Sequence, residues 1–221
     1  MTNYKRKAIL LLSGTALILS ACGNDPKAAN EANFEKALNA HFVKTKQCFR
    51  VGSEPNDAGV IQEFRTDRKV QDKQLPFFNG LMDLGLLETV IYQKDVKSFS
   101  GQVTGKADWV GFKFSDDGKS YLRPSELDDG FFSTGAPQLC FATPQVVEIT
   151  NFTEPAEVMG VKASTVQYTY KLVDVAPWAN APTLSTRLKW MPERISNQAM
   201  KKDDDMVLTN NGWVHHSEFK Q

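Results

Sequence analysis

The sequence predicts an α+β fold in which a helical first half packs on an antiparallel β-sheet formed by the second half. Three observations lead to this prediction. Apolar residues recur at helical spacing over residues 34–42. Apolar and polar residues alternate over residues 165–172, as in an antiparallel strand with one face in water. Asn211-Gly212 then has the chemistry of a two-residue hairpin turn near the end of the chain.

The first half begins with an amphipathic helix. Residues 34–42 place their apolar side chains on one helical face, and either Asn30 or Asn33 can cap the N-terminus. A short strand is predicted at residues 47–51. A second helix is predicted to begin near Gly59 and to continue over residues 60–71.

The next fifty residues contain a helix, a strand and a hairpin. The helix is predicted over residues 75–84 and ends at Gly85, which suits the left-handed conformation at a helix C-terminus. A strand follows at residues 86–92, and residues 109–122 read as two strands joined by a turn at Asp117-Gly118. This order resembles the later half of a winged-helix domain, including its hairpin wing.

Winged-helix domains commonly bind DNA through a basic helix, and the charges here argue against that partner. Residues 75–87 contain no lysine or arginine, and Asp83 is their single charge. The whole chain has 26 basic and 26 acidic residues, and residues 22–221 contain no basic cluster that suggests a nucleic-acid site. Because phosphate contacts need such a cluster, we expect no nucleic-acid partner.

The second half is rich in predicted strands. We place a boundary between a first subdomain over residues 34–133 and a second over residues 134–221. Trp178 and Trp190 flank a loop interrupted by proline. Exposed aromatic rings in such a loop can stack on a sugar or anchor a protein partner, and burial in the core is the alternative.

The beginning of the chain has the pattern of a secretory signal. Lys5, Arg6 and Lys7 precede an apolar run over residues 8–21. Fourteen helical residues rise about 21 Å, which is less than the roughly 30 Å of a hydrocarbon core. The run therefore favours a removable signal over a permanent membrane helix, and an unprocessed signal or short anchor helix is the alternative.

The apolar run ends in Leu19-Ser20-Ala21-Cys22, which resembles the lipobox of bacterial lipoproteins. The resemblance implies cleavage between Ala21 and Cys22 and attachment of lipid to the Cys22 thiol and amino group. Two or three acyl chains would hold the protein firmly on a bilayer. Residues 22–33 are small and polar and are predicted to form a flexible tether between this lipid and the fold.

The lipobox implies a bacterial envelope. Gly23, rather than aspartate, follows Cys22, and this favours the outer membrane with the fold facing the periplasm; the inner membrane and the cell surface remain alternatives. The lipobox, the tether, "LCFATPQVVEITNFTEP" and "LTNNGW" together resemble small uncharacterised lipoproteins of Gram-negative bacteria. The expected partners are the membrane, through Cys22, and an unidentified envelope protein.

The cysteines fit this location. If Cys22 carries lipid, Cys48 and Cys140 remain as an even pair in an oxidising compartment, and we predict a disulfide between them. The alternative is two buried thiols. Closing a loop of about 93 residues would stabilise the fold by about 4 to 5 kcal/mol in the chain-entropy model.

No catalytic or metal-binding constellation is visible in the sequence. His41 lies on the apolar face of the first helix and is predicted to be packed and hydrogen-bonded. His215 and His216 are neighbours on a predicted strand and should point to opposite sides of it. Residues 203–205 lack the glycine and distal glutamate of a calcium loop. We therefore predict no metal and no cofactor.

These observations predict a non-enzymatic, lipid-anchored envelope lipoprotein with a protein-binding, structural or assembly role. A small-molecule or glycan-binding module is the alternative, and it would use aromatic rings such as Tyr168 and Tyr170 beside the two loop tryptophans. A hydrolase is a weaker alternative, since no motif places a base beside a nucleophile.

Overall fold

The computed structural model describes residues 25–66, 75–123, 135–185 and 187–219. Within these ranges the chain forms two antiparallel sheets and five α-helices. The strands are β1 (Gln47–Arg50), β2 (Gln62–Arg65), β3 (Leu87–Lys97), β4 (Val103–Phe114), β5 (Gln138–Phe152), β6 (Ala156–Val158), β7 (Val161–Val173), β8 (Met200–Thr209) and β9 (Gly212–His215). The helices are α1 (Glu31–Lys44), α2 (Leu75–Asp83), α3 (Asp116–Lys119), α4 (Pro182–Ser185) and α5 (Met191–Arg194).

The two sheets differ in size and origin. The large sheet has the strand order β1-β5-β7-β8-β9, with β6 also paired to β7, and it is a curled antiparallel half-barrel. The small sheet has the order β2-β4-β3. Because β1 comes from the first half of the chain, the large sheet joins both halves through its pairing with β5.

The predicted helical first half is wrong, because four strands lie before residue 115. Residues 62–65, inside the second predicted helix, form β2 against β4. The physical reason is the ring of Phe64, which is buried between Phe78 and Phe112 with edge-to-face contacts at 6.2 and 6.0 Å. Packing of this kind overrides a weak local preference for helix.

The hairpin wing of the winged-helix resemblance is also wrong, although the strand predicted at residues 86–92 forms as the first part of β3. α2 forms and Gly85 follows it with a φ of 74°, as predicted. However, β3 pairs directly with β4 to make one long hairpin, and Asp117-Gly118 lies in α3 rather than in a hairpin turn. The Ser115 hydroxyl caps α3 by accepting from the Gly118 amide at 2.9 Å. A Cβ on Gly118 would lie 2.0 Å from the Leu86 carbonyl oxygen, so α3 depends on this close approach.

The first helix is confirmed and covers one face of the large sheet. Asn30 is its N-cap and accepts from the Asn33 amide at 2.9 Å, which decides between the two predicted caps. The buried face of α1 meets apolar side chains of β5, β7, β8 and β9 and forms one core. The members of that core are Phe34, Leu38, Phe42, Val146, Ile149, Val166, Tyr168, Met206 and Trp213.

A second core lies between the small sheet, α2 and the β1–β5 end of the large sheet. Its members come from both predicted subdomains, for example Ile61 and Phe112 from the first and Phe141 and Leu184 from the second. Tyr170 packs against both cores. The described parts of the two predicted subdomains therefore pack together, and most of the segment around the predicted boundary lies outside the described residues.

The predicted disulfide is confirmed. Cys48 of β1 and Cys140 of β5 are bonded partners on neighbouring strands, 92 residues apart in the chain. In the chain-entropy model a loop of this length corresponds to about 4 to 5 kcal/mol of stabilisation. The bond therefore fastens the edge strand β1 to the large sheet.

Candidate functional site

The chain that follows the predicted lipid site is fixed to the fold. We call residues 25–30 the N-terminal segment. Its turn is closed by the Ala28 amide, which donates to the Asp25 carbonyl at 3.0 Å. The Asn33 side chain donates to the carbonyls of Asp25 and Ala28, both at 2.8 Å. The segment is thus folded back onto the beginning of α1.

Trp213 of β9 holds this segment against the large sheet. Its indole Nε1 donates to the carbonyls of Ala28 at 3.1 Å and Lys27 at 3.3 Å. The indole is only 6% exposed, and its ring centroid lies 4.9 Å from that of Phe34. A Cβ on Gly212 would lie 2.8 Å from the Pro26 carbonyl oxygen, so a glycine is needed where the segment crosses β9.

The structure therefore shortens the predicted tether. Residues 25–33 were assigned to a flexible linker, but hydrogen bonds and α1 hold them in place. Three residues, 22–24, separate Asp25 from the residue before the predicted cleavage site, and Ala21 and Cys22 lie outside the described residues. The small polar residues of this segment are typical of a linker. The same residue types, for example Asn33, also make local turns, and composition alone does not distinguish the two.

A buried histidine pair lies at the other end of α1. The rings of His41 and His215 are stacked, with centroids 3.8 Å apart and planes within 9° of parallel. Their residues are 8% and 5% exposed. His41 is packed as predicted, whereas no local pattern indicates its pairing with His215. His215 ends β9, and His216 begins a 3-10 turn with its ring 4.4 Å from that of His215, so the two are not on opposite faces of one strand.

One carboxylate group lies against each ring of the pair. Glu218 Oε1 accepts from His41 Nδ1 at 3.0 Å, and its Oε2 accepts from Lys44 at 2.6 Å. Asp204 Oδ1 lies 3.5 Å from His215 Nε2. Lys44 and Glu218 therefore join the C-terminal end of α1 to the turn that follows β9.

Asp204 is also bonded on its second oxygen. Tyr168 and Lys202 donate to Oδ2 at 2.5 and 2.9 Å. Burial by itself raises the pKa of Asp204, but the nearby imidazole of His215 and the hydrogen bonds from Tyr168 and Lys202 together hold that pKa well below its usual range. Burial and the Asp204 charge raise the pKa of Tyr168. The carboxylate thus stays ionised and the phenol stays protonated at neutral pH.

The histidine cluster, formed by His41, His215, Asp204 and Glu218, contains residue types that also occur in hydrolases. Ser217 Oγ lies 2.8 Å from His215 Nδ1, and Asp204 lies beyond the other ring nitrogen. However, Nδ1 also accepts the Ser217 backbone amide at 3.2 Å and caps the 3-10 turn. Because His215 is almost fully buried, its imidazole is inaccessible to a substrate. No group of metal-binding side chains occurs among the described residues.

The two predicted binding tryptophans have different environments. Trp178 is 7% exposed and packs in the second core, with edge-to-face contacts to Phe49 and Tyr121. Trp190 is 38% exposed and lies on Phe49 with Arg194 over its ring. The structure therefore does not bring the two rings together as one exposed platform.

A cleft of about 600 Å³ opens near the disulfide, between the end of α1 and the loop before β5. Its lining includes Lys46, Tyr121, Cys140 and Asp174. Arg123, at its rim, donates to the Lys46 carbonyl at 3.1 Å. The cleft combines both signs of charge with apolar side chains such as Leu122 and Phe141, and no arrangement of its described groups indicates a particular ligand.

The β3–β4 hairpin is the most exposed part of the small sheet. β2 pairs with β4 over residues 109–112, whereas none of the side chains of residues 94–106 is fully buried. Phe99 lies in the turn between the two strands with its ring entirely in solvent. We call residues 94–106 the hairpin arm. From strand geometry it extends about 20 Å past the end of β2, because six residue steps separate Trp109, the partner of Arg65, from Val103.

Comparison of the chain with protein-family models, curated proteins and solved structures finds no match. Within the described ranges, every helix is too short or too polar to cross a bilayer. The geometry of the N-terminal segment, the histidine cluster and the hairpin arm is therefore the basis for any functional inference.

We predict that the histidine pair makes the fold sensitive to mild acid. Burial, followed by the charge of His215, holds the pKa of His41 below the value of about 6.5 of a free histidine, against the opposing effect of Glu218. Between the folded and unfolded pKa values the unfolded chain binds more protons, so stability must fall as the pH falls below about 6.5. The contribution of one site cannot exceed about 1.4 kcal/mol per pH unit.

The measurement is the free energy of urea unfolding from about pH 7.5 to about pH 5.5, above the range in which carboxylates titrate. His41→Gln should show a weaker pH dependence than the parent, because glutamine keeps a polar group beside Glu218 but binds no proton. Val43→Gln, which changes an exposed residue of the same helix and removes no proton-binding group, should retain the parental slope. Equal slopes in the parent and His41→Gln would contradict the prediction.

Proposed function

We propose that this protein is a lipid-anchored, non-enzymatic lipoprotein of the bacterial envelope that faces the periplasm and binds another envelope protein. The observation that carries the proposal is the N-terminal segment held on Trp213, three residues after a lipobox-like sequence. A lipid on Cys22 would therefore be joined to a rigid body through a very short linker. Such a connection limits how far the fold can move from the bilayer.

The disulfide supports an oxidising compartment. Disulfides persist in secreted and periplasmic proteins and are rare where thiols are kept reduced. Gly23 after the lipidated residue favours the outer membrane over the inner membrane as the destination. A lipid anchor on the periplasmic side would leave the hairpin arm accessible to other envelope proteins.

The hairpin arm supports a protein partner. A fully exposed phenylalanine at the tip of a hairpin has no role in either core, and aromatic rings are common anchors in protein interfaces. β3 is also the outer strand of the small sheet as described, so its backbone groups can pair with a strand of a partner. Both features favour recognition of a protein surface with an apolar pocket.

The glycan-binding alternative requires an exposed aromatic platform. Of the four rings expected to form it, Trp178 and Tyr168 are buried, Tyr170 is half-buried, and Trp190 is exposed. A single exposed ring beside Arg194 supports stacking on a ligand less well than the hairpin arm supports a protein contact. We therefore place the protein-binding role first.

Cys22→Ser tests the anchor. We expect the parent to fractionate with the outer membrane and to have a mass that begins at Cys22 with acyl groups attached. The serine variant lacks the thiol that accepts lipid, so it should lose both the acyl mass and the membrane fraction. The double variant Cys48→Ser with Cys140→Ser, which removes the disulfide but keeps Cys22, should stay in the membrane. A Cys22→Ser protein that still sediments with parental mass would contradict the proposal.

Photocrosslinking from position 99 tests the partner. With p-benzoylphenylalanine in place of Phe99, irradiation of intact cells should give one discrete adduct with an envelope protein, because the tip of the arm would lie in the interface. The same probe at Val147, an exposed apolar residue of β5, is the matched control and should give no such adduct. The absence of an adduct at position 99, or the same adducts at both positions, would contradict the proposed role of the arm.

A further inference from the structure

The turn between β6 and β7 exposes apolar side chains in an unfavourable backbone conformation. Val158 pairs with Val161, so Met159 and Gly160 form a two-residue hairpin turn in which both φ angles are positive, 51° and 82°. Asparagine, aspartate or glycine normally occupies the position of Met159, because a long side chain there is strained. Met159 is nevertheless present and is 92% exposed, and Val158 is 51% exposed.

This turn lies at the same edge of the large sheet as the N-terminal segment. Ala163 of β7 pairs with Val207 of β8, and Thr209 of β8 pairs with Gly212 of β9. The β6–β7 turn and the β8–β9 turn are therefore at the same level along the strands. β7 and β9 are two strands apart, about 10 Å.

Pro26 contacts the second of these turns, at Gly212. We call this edge, comprising Asp25, Pro26, the turn at residues 210–211 and the turn at residues 159–160, the anchor edge. The opposite end of β7 is about 40 Å away, because twelve residue steps separate Val161 from Val173.

Covalent geometry limits the distance from the anchor edge to the predicted lipid site. Consecutive Cα atoms are 3.8 Å apart, so the Cα of Cys22 lies within about 11 Å of the Cα of Asp25. Acyl chains on Cys22 place that residue at the bilayer surface. The anchor edge would then face the lipid headgroups. Met159 lies on this edge, about two strand spacings from the turn that Pro26 contacts.

We propose that the Val158–Met159 turn is a second membrane contact, which enters the headgroup region of the bilayer beside the lipid on Cys22. This inference rests on the proposed lipid anchor. Glu157 and Lys162 are cross-strand neighbours next to the turn, so their opposite charges cancel where the turn would approach the lipid. The acyl chains supply most of the affinity, and the second contact fixes the orientation of the fold on the membrane. The strain at Met159 is retained because this orientation requires an apolar side chain there.

The test uses the lipidated full chain with dansylalanine at position 159, bound to phosphatidylcholine vesicles whose acyl chains carry bromine near the headgroup. We expect the bromine to quench the dansyl fluorescence by about half, since interfacial side chains lie 5–10 Å deep at the acyl boundary. Dansylalanine at Asp174 is the matched control. Asp174 is also an exposed non-glycine residue with a positive φ, 50°, but it follows the far end of β7, so it should not be quenched.

The outcomes separate this inference from the proposed function. A chain that binds the vesicles through Cys22 but shows no quenching at position 159 overturns the second contact and leaves the anchor intact. A chain that lacks lipid and does not bind the vesicles overturns both. Equal quenching at positions 159 and 174 also overturns the inference, because the fold would then have no fixed orientation.

Met159→Asn provides an independent measurement in solution. Asparagine tolerates the left-handed conformation, so the variant should unfold at the same temperature as the parent or a few degrees higher. A lower unfolding temperature would show that Met159 serves the stability of the fold, and it would contradict a role in membrane contact.

Discussion

The attachment of α1 to the large sheet is the constraint on which the rest of the structure depends. At the N-terminal end of the helix, Trp213 binds the carbonyls of Lys27 and Ala28. At the C-terminal end, Glu218 binds His41 and Lys44. Both attachments come from the last strand and the turn after it. The helix is therefore fixed at two points along its length, and it covers the core formed with β5, β7 and β8.

Because of this arrangement, the orientation of the whole molecule depends on where the beginning of the chain is held. The N-terminal segment is part of the folded body, so a bilayer that holds Cys22 would face one particular edge of the large sheet. The Cys48–Cys140 bond then lies toward the other end of the large sheet, where β1, the second core and the small sheet are attached. A lipid anchor would in this way set the direction in which the hairpin arm is presented.

Local sequence patterns predicted only part of this fold. The helix over residues 34–42 and the strand over residues 165–172 were clear because their periodicities reflect burial on one face. The sequence did not predict β2, because only Phe64 of its four residues is fully buried. The other three residues are polar, so apolar and polar residues do not alternate as in a typical strand. The pairing of β3 with β4 and the stacking of His41 on His215 join residues that are distant in sequence. The Cys48–Cys140 bond was predictable from cysteine number and compartment, without any knowledge of the strands that carry it.

Hydrogen exchange at the amides of Lys27 and Ala28 tests the central claim most directly. These amides donate within the turn of the N-terminal segment, so they should be protected in the parent. Trp213→Phe keeps an aromatic ring on Phe34 but loses the indole donor, and exchange should become about tenfold faster. Trp178→Phe removes a buried indole whose Nε1 has no partner among the described residues, and it should leave these amides unchanged. Exchange at the rate of an unfolded peptide in the parent itself would contradict the account.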